Sequence, residues 1–361
     1  MSQPLTEESK TEESVVQSPL KSGREFDLIP SWILPIGTPL LLIAPFFFWG
    51  TAMVAMKGAL GHTTPFFVAG LRLLPAGFLV LGVARALRRS LPNTWQAWLW
   101  ILGFAVVDGA MFQGFLAQGL TLTNAGLGSV MIDSQPLAVA VLARLLYGEM
   151  VGVWGWLGLL IGLTGISVIG LPDLWIQNLV NVGFWMGEQR GSLGAIAAAF
   201  GGDQTLAVLG RLWDSGEWWM FLAAIAMASG TVMMRPVSRY ADPLVATGFH
   251  MILGGLPLFA LSAGWEVNQW DYLTGSDWLA LGYSTVFGGA IAYGLFFYLA
   301  AKGNLTSLSS LAFLTPVFAL IFGGLLLSEA LTLVQSVGVF LTLISVLLVN
   351  QRERLKAWLN T

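Results

Sequence analysis

From residue 39 to residue 350 the chain is a succession of long apolar runs separated by short polar breaks. Each run is close to the roughly 20 residues that a helix needs to cross a bilayer. The pattern predicts membrane-spanning helices near 39–57, 66–84, 97–118, 125–146, 151–171, 217–236, 244–264, 278–300, 306–327 and 331–350. Met150–Pro172, Trp278–Ala301, Gly303–Ser328 and Ala330–Gln351 carry no charge at all. The strands of a barrel would alternate apolar and polar residues, and these runs do not. The expected fold is all-α and integral to the membrane, with ten transmembrane helices.

Three stretches break the pattern. Residues 1–27 are rich in Ser, Thr, Glu and Lys, which predicts a disordered tail that continues to the first span, over 1–38. The tail has no basic region followed by an apolar core, and it is too acidic for a typical transit peptide. Residues 172–216 are less apolar and carry Asp173, Glu188, Asp203 and Asp214. Within them Leu174–Val182 and Leu206–Trp213 read as amphipathic segments suited to a membrane surface. Residues 351–361 form a short polar tail.

The chain also repeats itself. At an offset of 180, Gly50-Thr51 matches Gly230-Thr231, Trp98 matches Trp278, Gly114 matches Gly294 and Asn124 matches Asn304. In the same register Ser129 matches Ser309, Pro136 matches Pro316, Glu149 matches Glu329 and Gly158 matches Gly338. At an offset of 178, Gly70 matches Gly248 and Gly77 matches Gly255. A register held over so long a stretch marks a duplication. The copies are 39–171 and 217–350, each with five helices. Five is odd, so the second copy enters the membrane the other way up. Two inverted five-helix repeats are a common construction among secondary transporters, which hold substrate near the midplane between the halves.

Orientation follows from Lys and Arg. With both ends inside, thirteen of the 17 basic residues lie in cytoplasmic segments, including Arg85, Arg88, Arg89, Arg144, Arg235, Arg239 and Lys302. The outer segments then hold Lys57, Arg190 and Arg211, and segment 172–216 is extracytoplasmic. The reading is a multi-pass protein of the plasma (inner) membrane with both termini in the cytoplasm.

Composition agrees. Hydrophobic residues make up 56% and charged residues 10%, against about 25% charged in soluble domains. The 16 Trp and 22 Phe suit interfacial belts and apolar packing, and the 43 Gly suit close helix contacts. With no Cys there is no disulfide, thiol chemistry or Cys-based zinc site. A net charge of −3 gives no case for nucleic acid. Only His62 and His250 are present and no HExxH motif occurs. Nor is there a GxxxxGK[ST] loop for ATP or a GxSxG elbow for acyl transfer. No cofactor is implied. The partners implied are the bilayer, a small-molecule solute and protons.

Phe48-Trp49-Gly50-Thr51 with Lys57, and Ala69-Gly70-Leu71-Arg72, resemble the opening signatures of the drug/metabolite transporter superfamily, EamA family. Thr121–Val130, with Thr123 in the place of a small hydroxyl residue, leads into Gln135-Pro136-Leu137 and ends at Tyr147-Gly148-Glu149. Leu314-Thr315-Pro316 and Ser328-Glu329 close the second copy in the same way. Asp108–Gln118 followed by Ala125–Val139 is most similar to the walls-are-thin-related branch of cyanobacteria and plastids. The resemblance covers about 40–350 and implies ten helices in two inverted repeats and transport of small organic metabolites. The insertion 172–216 departs from it.

Charged groups within a span cost roughly 2.5–3.5 kcal/mol on insertion scales and face a cavity or a partner. Here they are Arg72, Asp108 and Asp133, with His250 as a titratable addition in the duplicated place of Arg72. One reading is a structural Arg–Asp pair that pins helices together. In the other, all three border a central cavity. Arg72 neutralises one carboxylate, so that its loss would destabilise the protein by stranding a buried acid, and the second must be protonated or hold a cation, as proton coupling or amine recognition requires.

Ser129 lies four residues before Asp133 and shares its helix face. On a continuous helix Gln135 is about 200° around from Asp133 and faces elsewhere. Gln113 and Gln118 have the duplicated counterparts Tyr293 and Tyr298. Expected contacts to the solute are therefore Arg72, Asp108, Asp133, Ser129, Gln113, His250 and Tyr293. The aromatics Trp49, Tyr283, Tyr293 and Phe297 fit an amphipathic or aromatic solute, and equally ordinary core packing. Pro136 and Pro316 each remove a helix hydrogen bond and are candidate gating positions. Gly158 and Gly162 form a GxxxG flanked by Gly155 and Gly165, for close helix packing or a homodimer contact. Glu149 and Glu329 read as caps at helix ends. The function read is alternating-access export of small organic metabolites with proton coupling. Its rivals are a membrane enzyme for lipid or isoprenoid substrates using Asp108 and Asp133, and a noncatalytic assembly factor that has no solvated central cavity.

Overall fold

The structure is a computed structural model that describes residues 34–122, 132–170, 216–327, 333–352 and 355. By contacts the chain divides into Met1–Leu40 and Leu41–Thr361. The described part of the first unit is the opening of one helix. Segment 172–216 lies outside the described residues save for its last residue, as do Ser129 and Glu329.

Every described element is helical. In chain order they are α1 Leu34–Ala59, α2 Pro65–Ala86, α3 Trp95–Leu122, α4 Gln135–Tyr147 and α5 Gly152–Gly170. Then come α6 Gly216–Tyr240, α7 Pro243–Trp265, α8 Gly275–Lys302, α9 Leu305–Ser310, α10 Leu314–Leu327 and α11 Leu333–Asn350. Among the described residues, six helices are long and apolar enough to cross a membrane: the main lengths of α1, α2, α3, α6, α7 and α8. Among the described residues, shorter apolar helical stretches lie at Gln135–Tyr147, Gly152–Gly165, Leu305–Ala319 and Ser336–Asn350.

Polar residues flanking the apolar runs fix where helices begin. Thr94 accepts a hydrogen bond from the Ala97 amide at the start of α3, and Asp242 accepts from Leu244 and Val245 at the start of α7. Thr274 and Asp277 form a reciprocal cap on α8. The Glu266 carboxylate accepts from the Phe66 and Phe67 amides and so closes the start of α2 from the far end of α7. Glu149 takes a similar part elsewhere. Its Oε1 accepts from the Thr306 amide at the start of α9, and its Oε2 pairs with Arg235 at 3.0 Å. The expected cap is there, but it serves another helix. Gly148 closes α4 with φ 65°, a left-handed turn that glycine enters without strain.

α2 and α7 pack antiparallel through their small residues. A Cβ on Gly77 would lie 2.8 Å from the Gly248 carbonyl oxygen, and one on Gly70 would lie 3.0 Å from Phe259. In the register that matches Gly70 to Gly248 and Gly77 to Gly255, α2 and α7 correspond. α5 packs on α11 along the glycine stripe. Gly158 faces Val349, Gly162 faces Phe313 and Ser345, and Gly165 faces Thr342. That stripe is covered within the chain and presents no homodimer surface.

Two helices are locally widened. Ala105–Phe112 of α3 and Ser284–Ile291 of α8 are π-helical, at nearly the same place in the two copies. Such turns re-aim side chains and concentrate at functional sites. Two further interruptions also correspond. α4 starts at Gln135 after a turn at Asp133-Ser134, and α10 starts at Leu314 after a 3₁₀ turn, Leu311–Phe313. Pro136 therefore sits in the first turn of α4, where the missing N–H leaves no broken bond, and Pro316 follows the 3₁₀ turn in a run that stays helical from Leu305.

Candidate functional site

The two interruptions open on one cavity. Trp49, Ala52, Met53 and Met56 of α1, Arg72 of α2, and Phe112, Gln113 and Leu116 of α3 form one side of its wall. Ile132, Asp133 and Gln135 come from the break before α4, Met227 from α6, Tyr293 from α8, and Ala312 and Thr315 from the break before α10. Both copies contribute, and the equivalent positions Gln135 and Thr315 both reach it.

Arg72, Asp133, Gln113 and Tyr293 are thus brought together as expected. Gln135 is there too, against the helical-wheel reading. The residues between Asp133 and Gln135 form a turn, so the 100° per residue of a helix does not apply. Gln135 is also tied to α6 by a 3.1 Å bond from its Nε2 to the Thr231 hydroxyl. Gln113 Nε2 donates to the Tyr293 hydroxyl across the cavity wall.

The charges do not pair as a structural clamp would. Among the described residues, no ion pair joins Arg72 to Asp108 or Asp133. Arg72 Nε and Asp133 Oδ2 are buried with no hydrogen-bond partner. Both residues are over nine-tenths buried. A cavity wall with an unpaired guanidinium and an unpaired carboxylate is costly for an empty protein. Its groups are available to a solute bearing opposite charges.

Asp108 and His250 are not in that wall. Both are fully buried, and His250 Nε2 lies 3.1 Å from Asp108 Oδ2. The other ring nitrogen, Nδ1, is bonded to the Thr247 carbonyl. Phe104 stacks on the imidazole at 4.0 Å between centroids, and Phe297 meets it edge-on at 5.5 Å. A glycine makes room for the acid. A Cβ on Gly230 of α6 would lie 2.6 Å from Asp108 Cβ and closer still to its carboxylate.

The duplication sets Arg72 against His250 and, at the offset of 180, Gly288 against Asp108. Space follows the same rule. A Cβ on Gly288 would touch Ala52 and lie 3.9 Å from Arg72 Nη2, and the Gly288 carbonyl accepts from Trp49 Nε1 at 3.1 Å. The second copy lacks the acid where the first has it. Arg72 consequently has no carboxylate in the place where His250 has Asp108.

Among the described residues, no cluster of His, Cys, Asp and Glu could hold a metal ion.

The EamA-like transporter family model matches this chain twice, over residues 37–171 and 214–351. The chain belongs to the EamA-like transporter family. It is a membrane transporter by family and not an enzyme. An uncharacterized transporter of Synechocystis sp. is 56% identical over 321 residues, 89% of this chain and 92% of its own length. A chloroplastic WAT1-related protein of Arabidopsis thaliana is 49% identical over 320 residues, 87% of this chain and 69% of its own. A protein of Chlamydia muridarum named as an S-adenosylmethionine/S-adenosylhomocysteine transporter is 26% identical over 296 residues, 79% of this chain and 82% of its own. One crystal structure superposes with a TM-score of 0.67 at 18% identity, over 88% of this chain and 98% of that one, a likeness of fold. The cyanobacterial and plastid relatives agree with the branch that the motifs resemble.

Proposed function

We propose that this protein is a secondary transporter that exports small organic metabolites by alternating access. Its ten crossings form two inverted repeats, 39–171 and 217–350, with both termini in the cytoplasm of a plasma (inner) membrane. Proton movement drives it.

The carrying observation is the cavity between the copies, walled by both and holding Arg72 and Asp133 unpaired. Broken helices at the substrate site are a recurrent device of inverted-repeat carriers, and here they bring Asp133, Gln135 and Thr315 to the wall. The guanidinium suits an anionic group, the carboxylate suits a cationic one, and Trp49 and Tyr293 suit a planar or apolar body. The solute class is therefore a small zwitterionic or amphipathic metabolite with a flat apolar part. The named substrates of the chlamydial relative have that character.

Proteoliposomes should be screened with labelled amino acids, nucleosides and S-adenosylmethionine, with and without an imposed pH gradient. The reading expects saturable flux of at least one probe, enhanced by the gradient. Flux of none of them, from protein shown to be folded and inserted, would remove it.

A further inference from the structure

The hydrogen bonds around His250 count its protons. Its Nδ1 faces the Thr247 carbonyl, which can only accept, so Nδ1 carries a hydrogen. A neutral ring then has a bare lone pair on Nε2, facing Asp108 Oδ2 at 3.1 Å. Two acceptors cannot face each other at that distance in an apolar interior. One proton must lie between them, either on the carboxyl beside a neutral ring or on the ring beside a carboxylate. In both forms the dyad has zero net charge. Releasing the proton leaves a carboxylate and a neutral imidazole, with one uncompensated negative charge.

We propose that the Asp108–His250 dyad is the site that binds and releases the coupling proton, separate from the solute site at Arg72 and Asp133. The proposal rests on the transport reading and assigns its proton. Asp108 belongs to the first copy, His250 and Gly230 to the second, so the dyad spans the boundary that alternating access must rearrange. Its charge state alters the energy of that boundary, where Asp108 Oδ1 already lacks a partner. Both groups are closed to water here, so the proton can leave only when the halves move. That closure prevents a leak. Among the described residues, the titratable group beside the dyad is Tyr293 of α8, whose ring lies 6.4 Å from the His250 ring and is itself in the cavity wall. α3 presents Phe104 to it, and α6 presents the Gly230 backbone. The equivalent place in the other copy holds Arg72 and Gly288, a fixed cation without an acid. The acid–imidazole pair is therefore present at one of the two corresponding places and absent from the other.

Two measurements test this without a known solute. The chain has two His residues, so ¹⁵N-histidine NMR of a His62→Gln protein in nanodiscs reports His250 alone. The expected result is a ring protonated at Nδ1 with a strongly hydrogen-bonded Nε2, and a pH response that Asp108→Asn abolishes. A ring that carries its hydrogen on Nε2 alone, or titrates identically in Asp108→Asn, overturns the dyad. The chain has no Cys, so spin labels can be placed across the copies at Ser90→Cys with Lys302→Cys, and at Gly61→Cys with Val267→Cys. Label distances should shift with pH in the otherwise native protein and in His62→Gln, and be pH-independent in Asp108→Asn and His250→Gln. A pH response retained in those two variants, or absent in the native background, overturns the proposal. Loss of flux for every probe with the pH response intact would defeat the transport reading alone. Solute flux with the pH response retained in both variants would defeat the dyad alone.

Discussion

Gln113 and Tyr293 are hydrogen-bonded to each other and occupy the same position in the two copies, 180 residues apart. Equivalent positions in a duplicated chain meet when an axis of two-fold rotation passes between them. The same holds for the helices α2 and α7, which pack face to face through Gly77 and Gly248. Contacts of this kind between corresponding positions are what two inverted copies would make.

Arg72 holds no acid in place, so its removal should spare the fold. In Arg72→Gln the melting temperature in detergent should stay within a few degrees of the native value, and probe flux should fall at least about tenfold, the cost of roughly 1.4 kcal/mol of solute binding. A structural Arg–Asp pair would give the opposite: a protein destabilised by several kcal/mol. Asp133→Asn should act on flux with the complementary selectivity, penalising probes with a cationic group most.

Gly230→Ala should be harmful although the change is small. Its Cβ would meet Asp108 where α6 crosses α3, and overpacking of this kind costs about 1–3 kcal/mol. Gly82→Ala on α2 meets nothing within 4 Å and should stabilise by up to about 1 kcal/mol through helix propensity. Thermal unfolding of the pair separates the close contact from a general intolerance of glycine replacement.

Glu149→Ala should destabilise by roughly 1–3 kcal/mol, because one carboxylate serves both Arg235 and the Thr306 amide. Glu149→Gln should recover part of that through its side-chain oxygen. Equal melting temperatures for the two variants would contradict the shared role.

Much of this was legible in the chain. The apolar runs mark the helices, the family model matches twice along the 180-residue register, and rarity of charge singles out Arg72, Asp108, Asp133 and His250. Sequence could not show how those four divide. Asp108 turns to His250 from a π-helical segment, and nothing in Ala105–Phe112 announces the extra residue in its turn. A helical wheel drawn through Asp133 turns Gln135 away from the cavity, but the chain makes a turn at Asp133-Ser134 and Gln135 reaches the wall. Pro136 marks the start of α4, and Pro316 follows a 3₁₀ turn at the corresponding place. Asp108 was matched to no residue of interest in the second copy. Only the packing of Gly288 beside Arg72 shows that this blank position is what leaves the guanidinium free.

The central claim is a carrier that exposes one cavity to each side in turn. The direct measurement is exchange in proteoliposomes at equal pH, with labelled probe outside and the same unlabelled probe inside. Alternating access gives saturable uptake that is accelerated by the internal solute and lost in folded Arg72→Gln. Uptake that rises linearly with concentration and ignores the internal solute would mean a pore, and would contradict it.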